Sequence, residues 1–93
     1  MKKFKINGFT KQVIDEFFID NEREIWYLIL DAIEYCVSNN LDEKQVLELE
    51  PEVEKFFVFR SSFKDTLEKG ITVFEKYEDY EQCARCKLIM NSL

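Results

Sequence analysis

The sequence predicts a mostly α fold: a small bundle of about four to five helices, closed by a C-terminal antiparallel helical hairpin, with room for a short N-terminal strand. Three observations carry this. Glycine and proline together supply only three residues of the chain, against roughly 11 at average usage. A sandwich or barrel of many short strands needs such residues at its turns. Apolar residues recur at helical spacing over 22–38 and again over 62–91. Hydrophobic residues reach 46% and aromatics 15%, enough for a packed core and too much for a disordered chain. Ninety-three residues make a single domain, 1–93.

Lys2–Ile6 alternates well enough for a short strand, but no pairing partner is evident. Asn7-Gly8 breaks the chain, and Thr10 is placed to cap a short helix in which Val13 pairs with Phe17 and Ile14 with Phe18. Asp20-Asn21 interrupts that helix. Residues 22–38 then give the strongest helical pattern. Trp26, Leu30, Ile33 and Val37 form one stripe, and Ile25, Ile29, Ala32 and Cys36 form another beside it. An apolar face this wide predicts a central helix packed on two sides. Ser38-Asn39-Asn40 ends it, because asparagine tolerates the left-handed cap conformation. Asp42 followed by Gln45 has capping-box spacing and predicts a short helix to about Leu49. Val46-Leu-Glu-Leu-Glu50 alternates and reads equally well as a strand, so residues 46–60 stay unassigned. Ser62 and Asp65 open the next helix, with Phe63, Leu67, Ile71 and Phe74 as its apolar stripe. Gly70 costs that helix about 1 kcal/mol relative to alanine, unless a neighbour approaches closely there. Tyr77-Glu78-Asp79 is the turn. The last helix places Tyr80, Cys83, Ala84, Lys87 and Leu88 on one side, and Tyr80, Ala84 and Leu88 are expected to face the stripe of the preceding helix, burying the seam internally or against a second copy.

The net charge is −6, concentrated in residues 42–54, where Asp42, Glu43, Glu48, Glu50, Glu52 and Glu54 stand against Lys44. An acidic chain without a basic stripe argues against phosphate-backbone binding, which draws its affinity from Lys and Arg. The acidic segment reads first as a solubilising surface. The alternative is a surface offered to a basic partner through Glu48, Glu50, Glu52 and Glu54. Lysine outnumbers arginine 10 to 3, which points to an AT-rich genome, bacterial or phage. The N-terminus lacks the apolar run of a signal peptide, and no stretch is long enough to span a membrane. An odd count of three cysteines without framework spacing fits a reducing cytoplasm.

No histidine is present, which excludes Ser-His and Cys-His catalytic pairs and histidine-based metal sites. Cys83-Ala-Arg-Cys86 is the only motif with chemical potential. A redox CxxC keeps its first thiolate at a helix N-terminus, whereas Cys83 falls about a turn inside the predicted helix. A zinc site needs further ligands that only Cys36 and carboxylates could supply. Packing cysteines are therefore expected, with no catalytic residue, metal or cofactor. Adjacent carboxylates such as Asp15-Glu16 and Glu78-Asp79 diverge on a helix and form no acid/base pair. Phe17, Phe18, Phe56, Phe57 and Phe59 lack interleaved cations and read as core or protein-interface residues, not as a base-stacking platform.

Residues 79–90, Asp-Tyr-Glu-Gln-Cys-Ala-Arg-Cys-Lys-Leu-Ile-Met, resemble the second helix of the UVR motif, the helical hairpin of the UvrB and UvrC repair subunits. Asp79, Tyr80, Glu81, Ala84, Lys87 and Met90 match its pattern in identity or kind, with Cys83 in place of a small alanine. The resemblance covers about the last 30 residues and fades upstream, at Phe74 and Glu75. It implies a hairpin that binds another hairpin, and so points to Tyr80, Glu81 and Lys87 as partner-binding residues.

The expected function is that of a small acidic helical interaction module, an adaptor or regulator without catalytic activity that binds another protein. The alternative is a phage-type accessory or inhibitory protein whose acidic surface blocks a basic nucleic-acid-binding partner.

Overall fold

The computed structural model describes residues 2–93. It corrects the fold class. Helices, the short 3₁₀ turn included, take 61% of the described residues, and a mixed three-stranded sheet takes 20%, which makes an α+β fold and not a mostly α bundle. In chain order the elements are β1 (Lys2–Lys5), α1 (Lys11–Asp20), α2 (Glu22–Asn39), β2 (Glu43–Glu50), β3 (Glu54–Phe59), a 3₁₀ turn (Arg60–Ser62), α3 (Phe63–Lys76) and α4 (Tyr80–Met90). The sheet order is β1-β2-β3, with β1 parallel to β2 and β3 antiparallel to it.

The N-terminal segment alternates as expected, and its missing partner is β2. The pair is joined by the α1–α2 crossover that parallel strands require, and Ile6 N–H extends it by donating to the Glu50 carbonyl at 3.1 Å. The helix expected from the Asp42/Gln45 spacing is absent; residues 43–50 are strand. Beside β1 and β3, Val46-Leu-Glu-Leu-Glu50 pairs on both sides, and a helix there would leave both neighbours unpaired. A bulge between Gln45 and Leu47 turns Val46 and Leu47 both toward the helices, where each is buried.

Low glycine content does not exclude a sheet here, because the β2–β3 turn does without glycine. Residues 51–53 make it, with Val53 at φ 59°, a left-handed conformation that strains a β-branched residue. Val53 is half exposed, so little packing is lost if it is changed. Val53→Gly is expected to stabilise the protein by about 1 kcal/mol. A rise in the urea midpoint at constant slope checks this, and a fall would contradict it.

The helix ends follow local chemistry. Thr10 Oγ1 accepts from Val13 N–H at 3.3 Å, and Asn40 takes the left-handed cap conformation at φ 53°. Ser62 lies in the 3₁₀ turn and makes no side-chain cap bond to α3.

α2 is the central helix, as expected, with the sheet on one side and the α3–α4 hairpin on the other. Ile25 and Ile29 face Leu47 and Val58 across a cleft, while Trp26, Leu30 and Ile33 close up against the region of Leu67, Gly70, Phe74 and Cys86. The Gly70 position is a close approach. A Cβ there would lie 3.3 Å from Cys86 Sγ and 3.4 Å from the Trp26 ring.

Candidate interaction surfaces

The hairpin seam differs from the predicted one. Cys83, Cys86 and Ile89 are the α4 residues that face inward. Tyr80, Ala84 and Leu88, expected opposite Phe63, Leu67, Ile71 and Phe74, are exposed instead, Tyr80 at 65% and Leu88 at 68%. The reason is steric. With glycine at 70 on α3, the small side chain of Cys86 can sit against it, and a Tyr or Leu at that place would hold the helices apart. Tyr80, Ala84 and Leu88 follow one another at four-residue spacing and so form an apolar stripe on the outside of α4. Glu81 and Lys87 are exposed beside it.

The α3–α4 hairpin is held against α2 by an ionic clasp that runs from the end of α3 through the turn to Arg85 of α4. Tyr27 hydroxyl donates to Asp79 Oδ2, and Arg23 donates to the same oxygen at 3.0 Å. Lys76 pairs with Glu22, which also accepts from the Tyr77 hydroxyl at 2.9 Å. Arg85 reaches Asp31 at 2.7 Å and Glu34 at 3.0 Å. The Tyr27 hydroxyl and then the Arg23 guanidinium hold the Asp79 carboxyl below its ordinary 3.8. The Lys76 ammonium does the same for Glu22, whose ordinary value is 4.5.

Both carboxylates are favoured in the folded state. Their contribution is complete above the ordinary values and is lost as pH falls through the lowered ones. Thermal stability is therefore expected to drop as pH goes below about 4, and Glu22→Gln with Asp79→Asn should make that drop shallower. An unchanged acid profile in the double variant would show that the clasp contributes nothing.

The acidic segment does not form a continuous surface. Glu48 is 6% exposed. In register it lies between Lys3 on β1 and Lys55 on β3, with Lys3 Nζ 3.8 Å from its carboxylate. Glu50 is half-buried beside Lys5, and Asp42 is paired with Arg60 at 3.1 Å. Glu52 and Glu54 remain exposed. Of the four glutamates singled out as partner-binding, Glu48 is thus covered. Glu48 and Glu50 are matched by lysines that only strand pairing brings alongside.

The cysteines are three free, buried thiols. Cys83 Sγ lies 3.5 Å from the Ile71 carbonyl as its donor. Burial, with the neighbouring Cys83 adding to it, pushes the Cys86 thiol up to about 11, away from the thiolate a nucleophile or metal ligand needs. Among the described residues no three His, Cys, Asp or Glu side chains converge as metal ligands. No helix of the described residues is long and apolar enough to cross a membrane.

A second apolar surface lies at β3, in the stretch that periodicity leaves unassigned. Phe57 and Phe59 are 43% and 50% exposed, stacked with their ring centroids 6.0 Å apart. Beside them a cleft of about 280 Å³ opens between β3 and the helices, lined by Phe18, Ile25, Ile29, Phe56 and Thr66 among others. The aromatic run 56–59 is the available signal, but alternation sends its neighbouring side chains to opposite faces of the sheet, and only packing decides which face the helices cover. The chain matches no protein-family model, no characterised protein and no solved structure.

Proposed function

We propose that this protein is a non-catalytic interaction module, an adaptor or regulator that docks an amphipathic helix of a partner protein on the outer stripe of α4. The observation that carries the reading is the exposure of Tyr80 and Leu88 on a helix whose opposite side completes the core. Large apolar groups left in water beside charged neighbours are favourable to cover. Glu81 and Lys87, one of each sign, flank the stripe and suit a partner helix of mixed charge. The UVR-like pattern of residues 79–90 supports the same use, since it implies a hairpin that meets another hairpin. Unpaired, buried thiols fit a reducing cytoplasm. The acidic-inhibitor reading is less favoured, because the strand lysines break up the segment it relies on.

Capture of partners from lysate by crosslinking tests the proposal. Tyr80→Ser with Leu88→Ser should leave the fold intact and lose the partner that the native chain recovers. Charge reversal at Glu52 and Glu54 should leave capture unchanged. Capture that survives the first double variant overturns the proposal. Capture that is lost with the second, and falls steeply with salt, supports the acidic surface instead.

A further inference from the structure

We infer that the free edge of β3 is a homodimer interface, in which a second copy of this chain pairs its own β3 antiparallel about a dyad through Phe57. The two edges of the sheet are built differently. β1 exposes Lys2, Lys3 and Lys5, the charged edge that resists further pairing. β3, Glu54-Lys-Phe-Phe-Val-Phe59, has one lysine, no proline and no glycine. Its aromatic and β-branched residues suit a strand that is paired on both sides.

The backbone pattern identifies the register. Arg60 N–H donates to the Asp42 carbonyl at 2.7 Å, so position 60 turns its backbone groups toward β2. Alternation along an antiparallel strand then turns those of Val58 and Phe56 inward as well, and those of Phe59, Phe57 and Lys55 outward. β3 pairs with β2 alone, and among the described residues no backbone hydrogen bond outside the sheet ladder meets Lys55, Phe57 or Phe59. All three residues are exposed.

A dyad perpendicular to the sheet keeps each face on its own side and pairs residues of the same parity. Centred on Phe57, it pairs Phe57 with Phe57 of the partner subunit and Lys55 with Phe59 of the partner subunit, all through outward-facing groups. Phe56 falls opposite Val58 of the partner subunit on the helix side, where the cleft leaves space. A centre at Phe56 or Val58 would offer groups already used by β2. A centre at Lys55 opposes two ammonium groups, and one at Phe59 runs into the 3₁₀ turn. Phe57 is therefore the centre that satisfies the whole strand, and it sets the Phe57 ring against its counterpart, with Phe59 diagonal to Phe57 of the partner subunit. The lysine-bearing β1 edges then bound a sheet twice as wide, and no unprotected edge remains. The self-complementary register is what selects a second copy over a foreign strand.

Sedimentation equilibrium from low to high micromolar concentration tests this, together with amide exchange on the native chain. The native chain should approach twice 11.2 kDa, with protection at Lys55, Phe57 and Phe59 rising with concentration. Phe57→Pro removes an outward N–H that β2 does not use, and Phe57→Lys sets like charges against each other on the dyad. Each should weaken the dimer by ~100-fold or more while circular dichroism stays native. A native chain that remains monomeric overturns the proposal. So does a dimer that survives both substitutions, or one without concentration-dependent protection at these amides. A monomer that loses a captured partner on Phe57 substitution also overturns it, and would assign the edge to a foreign strand. The α4 variants of the preceding test leave this interface untouched, so each reading can fail without the other.

Discussion

Phe74→Ala is expected to remove about 3–5 kcal/mol of folding stability, from a domain that at this size holds only about 5–15 kcal/mol. Phe74 has no exposed surface and lies on the face of α3 that meets α2. Its ring stands edge-on to Tyr27, with centroids 5.4 Å apart, a contact worth about 0.5–1.5 kcal/mol beyond the area it buries. Neighbours cannot collapse into the space easily, because Tyr27 is held by its bond to Asp79. The Phe74 carbonyl accepts from Asp79 N–H at 2.8 Å, so the turn into α4 should persist and the loss should come from packing. Urea unfolding would show a lower midpoint at an unchanged slope. A loss below about 1 kcal/mol would mean that the α2–α3 interface repacks freely, contrary to the close approach of Trp26 to Gly70.

Gly70→Leu is expected to cost about 3 kcal/mol or more, since overpacking typically costs 1–3 kcal/mol and here falls where two helices meet at once. The first added carbon already comes within 3.3 Å of Cys86 Sγ and 3.4 Å of the Trp26 ring. The remaining carbons have no space, and α4 must move away from α3 to admit them. Gly70→Ala makes the informative comparison. It gains about 1 kcal/mol in helix propensity and loses a comparable amount by pressing on the sulfur, so its net effect should lie near zero. The contrast between the two, read from thermal midpoints, isolates the close approach from the conformational cost of glycine. Equal tolerance of both would place slack in the seam. A large loss with alanine alone would show that neither Cys86 nor Trp26 can give.

Local chemistry made α2, its asparagine cap, the Thr10 cap and the extent of the α3–α4 hairpin legible in the sequence. Each depends on neighbours within a turn or two of helix, and periodicity reports such neighbours directly. The sequence also carried the question posed by Gly70, because a glycine inside a helix implies either a cost or a close neighbour. What it left open was every decision made between distant segments. Residues 43–50 became strand because β1, some forty residues earlier, and β3 both needed a partner. The seam of α4 keeps Cys83 but runs through Cys86 and Ile89 in place of Tyr80, Ala84 and Leu88, because contact at Gly70 rewards the small side chain of Cys86.

The candidate sites divide in the same way. Tyr80, Glu81 and Lys87 were named from the pattern of one helix, and all three are exposed. Glu48 was named from the charge of its own segment, and strand pairing covers it with lysines from elsewhere. Phe57 and Phe59 were visible as an aromatic run, yet only sheet order decides that their strand is an edge and that its backbone groups face outward. Sequence determines what each segment can do with its nearest neighbours, whereas pairing and burial are settled by the segments that compete for the same surface.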